Sequence, residues 1–350
     1  MPGPRRARAR AWHPRGDGGS GTPQTLLFAT GSDLWHAFSS DTPPGEPIRM
    51  IVRDHPSTLQ LFIVMQGSIV PKIMGKILGI AVLTALVLYL DRYHVGLPHI
   101  SIAAMGIFGV ALSLFLGFRN NAAYDRWWEA RKLWGSMIAD LRNLGRHMCI
   151  FVGNGTDRAA ILSCAVAFAH LHRGYLRQVD TRGDIVDWVG AQKADAMLAH
   201  QNPADAALRS MADQIGKLTG KEAISGFGQM TISQTLSSLA LAQAGCERIL
   251  TTPLPFVYSL LIRRTTYLYC WLLPFALIDS TGWFAPIFAA VVAYVFFGLQ
   301  TVTNELELPF QNVQNGLPLD AMCRTIEISV SEALDRPAPE PLKASNYVLT

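Results

Sequence analysis

The chain has 350 residues, half of them apolar and only 16% charged, with a formal net charge of +4 at pH 7 and a positive mean hydropathy. That balance is too apolar for an ordinary soluble domain, and without an RNA- or DNA-binding motif the small cation excess gives no reason to expect a nucleic-acid partner. Five scattered cysteines (Cys149, Cys164, Cys246, Cys270, Cys323) form no CxxC pair, so neither a disulfide framework nor a structural zinc site is expected.

Residues 1–49 are rich in Arg, Gly, Pro and Ser, with Arg5, Arg6, Arg8, Arg10 and Arg15 close together. Such a stretch buries too little apolar surface to offset its ordering entropy and is expected to be a disordered tail. The cations are followed by Gly, Ser and Pro, where a secretory signal would carry an apolar core. An Arg-rich transit peptide is the alternative.

Four apolar runs come next, and about 20 apolar residues cross roughly 30 Å of hydrocarbon. The first spans residues 69–90, led by Lys72 and Lys76 and closed by Asp91 and Arg92. The second, 100–118, meets the length requirement outright. The third lies within 256–278 and holds Arg263 and Arg264, so its clean part from Tyr267 to Ile278 is short. The fourth, 283–299, follows across Asp279-Ser280-Thr281-Gly282, which predicts a helical hairpin. Cations gather before the first run, after the second and around the third, while the loops 91–98 and 279–282 hold only Arg92. By the positive-inside rule both termini and the long middle segment are cytoplasmic.

That middle segment, 120–254, reads as helical. Apolar residues recur at helical spacing through Leu133, Met137, Leu141 and Leu144, and through Ile161, Ala165, Phe168, Leu171 and Tyr175. Helix starts are predicted at Thr156-Asp157 and Asn202-Pro203. Pro253 and Pro255 should break the chain before the third run, and Pro274 removes a donor inside it. The chain thus divides into a tail (1–49), two spans (50–119), a helical cytosolic domain (120–254), two further spans (255–302) and a cytosolic end (303–350).

Val110, Leu114 and Phe118 lie four residues apart on the second run, and small residues such as Gly106, Gly109 and Gly117 are interspersed along it. Such small residues let helices approach closely. An apolar stripe in a membrane helix ordinarily faces lipid or a neighbour, so periodicity alone leaves its role open. At the end of this run, Arg119, Asp125, Arg126, Glu129 and Arg131 would serve as ion pairs and helix caps. Trp127 and Trp128 suit a membrane interface. Enzymatic readings find no support: His170 and His172 are two apart, unlike an i, i+4 ligand pair, and GxSxG, P-loop and dinucleotide motifs are missing. Ser163-Cys164 reads as part of an apolar core. No metal or cofactor is expected.

Several segments resemble the bestrophin family of pentameric ion channels. They are Phe115-Leu116-Gly117-Phe118-Arg119-Asn120-Asn121 running on to Gly135, Gly245-Cys246-Glu247-Arg248-Ile249 with Thr252-Pro253-Leu254-Pro255-Phe256-Val257-Tyr258, Arg263-Arg264-Thr265-Thr266-Tyr267, and Asn304 to Asp320. Met50-Ile51-Val52-Arg53 resembles the opening of bacterial members, which makes Met50 the expected start. The resemblance implies an all-α membrane protein with four transmembrane helices and a helical cytosolic domain, a homopentamer in the bacterial inner membrane. Small inorganic ions would pass through its central pore.

By the same resemblance, Val110, Leu114 and Phe118 form the pore neck, and Ile224, with Phe227 as alternate, the lower constriction. Animal members place an acidic calcium cluster after the last span. Here the run between Pro309 and Asp320 carries amides and no carboxylate, so no tight calcium site is expected. The family includes chloride channels and cation-favouring bacterial relatives. Arg119 leans toward anions, Glu305 and Glu307 toward cations. An anion channel is the first expectation, a sodium-selective homologue the second and a non-conducting scaffold the third. A secondary transporter would need inverted repeats and broken helices with polar groups at the midplane, and the spans lack repeats and buried carboxylates.

Overall fold

A computed structural model describes residues 68–343 and two short strands, β1 (Met50–Ile51) and β2 (Val348–Leu349), all within the unit Pro47–Thr350. The expected disordered tail, 1–49, lies outside the described residues. Among those residues are ten α-helices: α1 (Val70–Tyr93), α2 (Ile102–Phe151), α3 (Gly155–Arg177), α4 (Arg182–Val189), α5 (Ala191–Leu198), α6 (Pro203–Gly220), α7 (Gly226–Thr251), α8 (Phe256–Thr281), α9 (Ala285–Leu306) and α10 (Leu319–Ala333). The strands form one antiparallel pair, Met50 opposite Leu349 and Ile51 opposite Val348. The rest of the described residues are helix, turn or loop.

Three helical stretches, Val70–Tyr93, Ile102–Phe151 and Phe256–Leu306, are long and apolar enough to cross a membrane. The last is folded on itself. Gly282 takes φ +52°, a left-handed value that ends α8, and a single 3₁₀ turn at Gly282–Phe284 leads into α9. Tyr267 meets Phe297 at 5.0 Å between ring centroids and Tyr269 meets Phe296 at 5.2 Å. These pairs sit at matched distances from Gly282, which defines an antiparallel hairpin.

The other two helices close the bundle around it. Lys72 of α1 meets Glu305 of α9 at one end, and the Arg92 guanidinium lies 5.6 Å from the Trp283 ring at the other, so α1 and α9 are antiparallel. At that second end His99 bridges Asp91 (3.0 Å) and Asp279 (2.8 Å). These carboxylates, Asp91 foremost, raise the His99 pKa above its ordinary value. Where α2 meets α8, the Ile100 amide just before α2 donates to the Phe275 carbonyl (3.0 Å) and the Tyr258 hydroxyl to the Phe115 carbonyl (3.2 Å). A Cβ on Gly109 would lie 2.8 Å from the Tyr269 hydroxyl, whose ring is wedged against Phe108 and Phe296. The bare glycine permits this close crossing.

The bundle hides Ile73, Leu112, Cys270, Leu273, Ala289 and Phe297 and turns Leu78, Val82, Leu86, Leu261, Val291 and Val295 outward. An apolar exterior over a packed core suits hydrocarbon, not water. The second apolar run, read as ending at Phe118, continues as one helix to Phe151. Fifty residues rise about 75 Å, far beyond the ~30 Å hydrocarbon layer. The reason is local: no proline interrupts Asn120 to Phe151.

Past the bundle, α2 becomes a spine. Ala130, Trp134, Met137, Leu141, Leu144 and Met148 form its buried stripe, facing α7 and α10. Helix α3, buried continuously from Ile161 to His172, is the centre of the second core, and α6 and α10 pack on it. Each fully buried Leu, Ile or Phe there contributes about 1.5–3 kcal/mol. Asn202 caps α6 as predicted, its side chain accepting from the Asp205 amide (3.2 Å). The start predicted at Thr156-Asp157 is set slightly earlier, because Asn154 accepts from the Thr156 amide (3.0 Å).

Candidate functional site

Helix α2 carries Val110, Leu114 and Phe118 on one face, 62%, 57% and 63% exposed. Spacing of four keeps them nearly in register at about 100° per residue. Leu112 and Leu116, rotated away, are buried against the bundle. The exposed face continues past Phe118 to Asn121 and Asp125, so a smooth apolar surface ends in polar side chains. No other described element of the chain covers it.

The same rotation that exposes Phe118 buries Arg119, which is 1% exposed. Its Nε and Nη2 donate to Glu307 (3.0 and 2.7 Å), and Nη2 also donates to the Asn304 side-chain oxygen (2.9 Å). Glu305, two residues before Glu307, points to another side of α9. It accepts from Lys72 (2.6 Å) and Asn315 (2.6 Å). The three charges expected to bias selectivity are therefore engaged in bracing the end of α9 against α1 and α2.

Arg126 extends this collar. It donates to the backbone carbonyls of Ile249, Thr252 (2.6 Å) and Glu307 (2.8 Å), and so ties the ends of α7 and α9 to α2. The Trp127 indole donates to the Asn315 carbonyl (2.7 Å). Arg177 donates to the carbonyls of Phe310 (3.2 Å) and Leu317 (3.0 Å) and to Asp320 (2.8 Å). Burial lowers the Arg177 pKa, with Asp320 opposing. The segment after α9 is thus clamped by cations and an indole. Among the described residues no group of three or more His, Cys, Asp or Glu is arranged to hold a metal. Sequence reasoning reached Arg126 only as a helix-end charge and missed Arg177 altogether. Their carbonyl acceptors lie more than 120 residues away.

The two residues expected at the lower constriction are placed differently. Ile224 is 4% exposed, folded over the first turn of α7 beside Gly228, and belongs to the second core. It precedes the cap Ser225, a position where apolar side chains pack back on the helix. Phe227, 80% exposed, is the outward-facing apolar residue of that turn.

The two histidines serve the interior. His170 Nε2 lies 2.7 Å from Glu327, and His172 is stacked between Trp134 (5.5 Å) and Phe168 (5.9 Å), where burial pulls its pKa to about 3. Cys164 is fully buried and accepts from Lys193 (2.8 Å).

These features define an all-helical integral membrane protein whose longest helix carries an apolar face out of the bilayer into a helical domain. The family model described as Bacterial/Fungal Bestrophin protein matches residues 50–332. The chain belongs to the bestrophin family. A voltage-dependent anion channel-forming protein of Mesorhizobium japonicum is 44% identical over 306 residues, 87% of this chain and 99% of that protein. One of the same description from Escherichia coli K12 is 34% identical over 291 residues, 82% of this chain and 94% of that protein. A solved bacterial bestrophin homologue from Klebsiella pneumoniae superposes with a TM-score of 0.73 at 32% identity, covering 76% of this chain and 99% of that one.

Proposed function

We propose that the chain is one subunit of a homopentameric channel that passes small inorganic anions passively along an axis lined by α2. The observation that carries this reading is the exposed stripe Val110, Leu114 and Phe118, which a ring of subunits would turn into a neck three side chains deep. Rings of apolar side chains set the narrowest radius and gate by dewetting. The relatives named for anion-channel formation support the choice of ion. Four spans follow from α1, the first half of α2, α8 and α9, with the helical domain and both termini on the cytoplasmic side of the inner membrane. Division of the chain at 119, 254 and 302 into spans and cytosolic parts belongs to the same proposal. Below the neck, Phe227, the alternate to Ile224, is the proposed constriction because it is the more exposed of the two.

A cation-selective channel is the second reading, and one residue favours it. With Arg119 neutralised by Glu307, the exposed Asp125 below Phe118 is the nearest carboxylate on the neck's own face. A ring of such carboxylates attracts cations. Reversal potential in planar bilayers under a KCl gradient, then a sodium gluconate gradient, decides between the two. Reversal near the chloride equilibrium potential supports the anion channel, and reversal near the cation potential replaces it with the second reading. Silence in wild type, with current once Val110, Leu114 and Phe118 become Ala, marks a closed gate. Silence in both forms would leave a non-conducting scaffold and overturn the proposal.

A further inference from the structure

Between α1, α8 and α9, two adjoining cavities share Lys76 and Tyr267. The first, about 210 Å³, is polar and is lined by Lys76, Arg263, Gln300, Thr301 and Asn304 besides Tyr267. It holds two cations and no carboxylate. The carboxylates of this end, Glu305 and Glu307, are already committed to Lys72 and Arg119. Lys76 rests 5.5 Å from the Phe297 ring and 5.8 Å from the Tyr267 ring, and among the described residues neither Lys76 nor Arg263 has an ion-pair partner. The Gln300 side chain is only 5% exposed, yet its amide nitrogen is buried without an acceptor. A buried donor left unpaired is costly, and here it lies beside two unneutralised cations.

The second cavity, about 260 Å³, continues from Lys76 and Tyr267 along Gly79, Ile80, Leu83, Trp271 and Phe297. It is apolar and runs toward the middle of the bundle, away from the charged collar. A cationic cleft with a spare donor at the end of a membrane bundle, opening into an apolar groove that heads into the bilayer, has two chemistries in one line. We propose that it binds an anionic phospholipid, with the phosphodiester held by Lys76, Arg263 and the Gln300 amide and an acyl chain along Ile80, Leu83 and Trp271. The charge follows from the cations and the lipid identity from the groove, since a free phosphate would use only the first cavity. The inference rests on membrane placement alone and not on conduction.

Native mass spectrometry of the purified full chain in detergent tests it, with phosphatidylglycerol, phosphatidylcholine of the same chain length, or inorganic phosphate as probes. Wild type is expected to retain phosphatidylglycerol over phosphatidylcholine by about tenfold or more, the scale set by two cations near a membrane surface. The K76Q/R263Q pair should abolish that preference, and Lys76→Arg should keep it. Leu83→Trp should lower retention of both lipids by filling the groove. Excess inorganic phosphate should not displace the lipid. Equal retention of the two lipids by wild type, or an undiminished preference in K76Q/R263Q, overturns the proposal. Displacement by phosphate together with indifference to Leu83→Trp reassigns the cleft to free anions. If the double variant does not fold, Gln300→Leu, which keeps both cations, carries the test through a measurable loss of phosphatidylglycerol retention. Every readout is binding, so a silent channel leaves the result intact.

Discussion

Phe118 and Arg119 are neighbours in sequence and opposites in the fold. A single step of about 100° along α2 separates a side chain open to any central path from one sealed against Glu307 and Asn304. Arg119→Gln is therefore expected to leave the reversal potential unchanged while lowering stability. Leaving Glu307 without its cation should cost about 2–3 kcal/mol, below the full cost for a deep pair because the Glu307 side chain keeps 20% exposure. Thermal unfolding measures the loss, and a shifted reversal potential would restore Arg119 to the ion path. His172 makes a second residue-scale prediction. Its folded pKa of about 3 lies below the ~6.5 of a free imidazole, so the unfolded chain takes up the proton first. Its contribution to stability is whole above about pH 6.5 and drains by about 1.4 kcal/mol per pH unit as pH falls toward 3. Unfolding midpoints between pH 7 and pH 4 should fall less steeply for His172→Leu, and identical slopes would assign the acid sensitivity elsewhere.

At the scale of elements, the start of α7 separates the two residues named for the lower constriction, Ile224 first and Phe227 as alternate. Ile224 lies before the Ser225 cap and packs inward, whereas Phe227, inside the first turn, faces out. Ile224→Ala should cost about 2–4 kcal/mol through the cavity it leaves, with unit conductance unchanged. Phe227→Ala should alter conductance or rectification with little loss of stability. Single-channel recording beside thermal unfolding distinguishes them, and a reversed pattern returns Ile224 to the pore. Helix α2 shows the other lesson of this scale. The apolar run to Phe118 announces a span, and the stripe Met137, Leu141 and Leu144 announces a buried face. Only the tertiary structure joins them into one rod, because continuity depends on nothing breaking the helix between.

At the scale of the molecule, the α2 face is left open by every described element of its own chain, and that incompleteness argues for further copies. Light scattering in detergent should give a particle of five 38.4 kDa chains after subtraction of the micelle. A monomer would remove the central path and with it the channel reading. The collar of Arg119, Arg126, Lys72 and Glu305 should persist in either state, since all of its partners lie within one chain.

Helical class, apolar spans, the hairpin at Gly282, the cap at Asn202 and the stripe Val110, Leu114 and Phe118 were all legible in the amino-acid order. Each depends on periodicity or on a local backbone preference, which neighbouring residues determine. What the charges do was decided only in three dimensions. Arg119, Glu305 and Arg177 find partners through contacts across helices that spacing along the chain does not encode. The inward turn of Ile224 and the cleft of Lys76 and Arg263 are likewise properties of packing, because burial is settled by which surfaces meet.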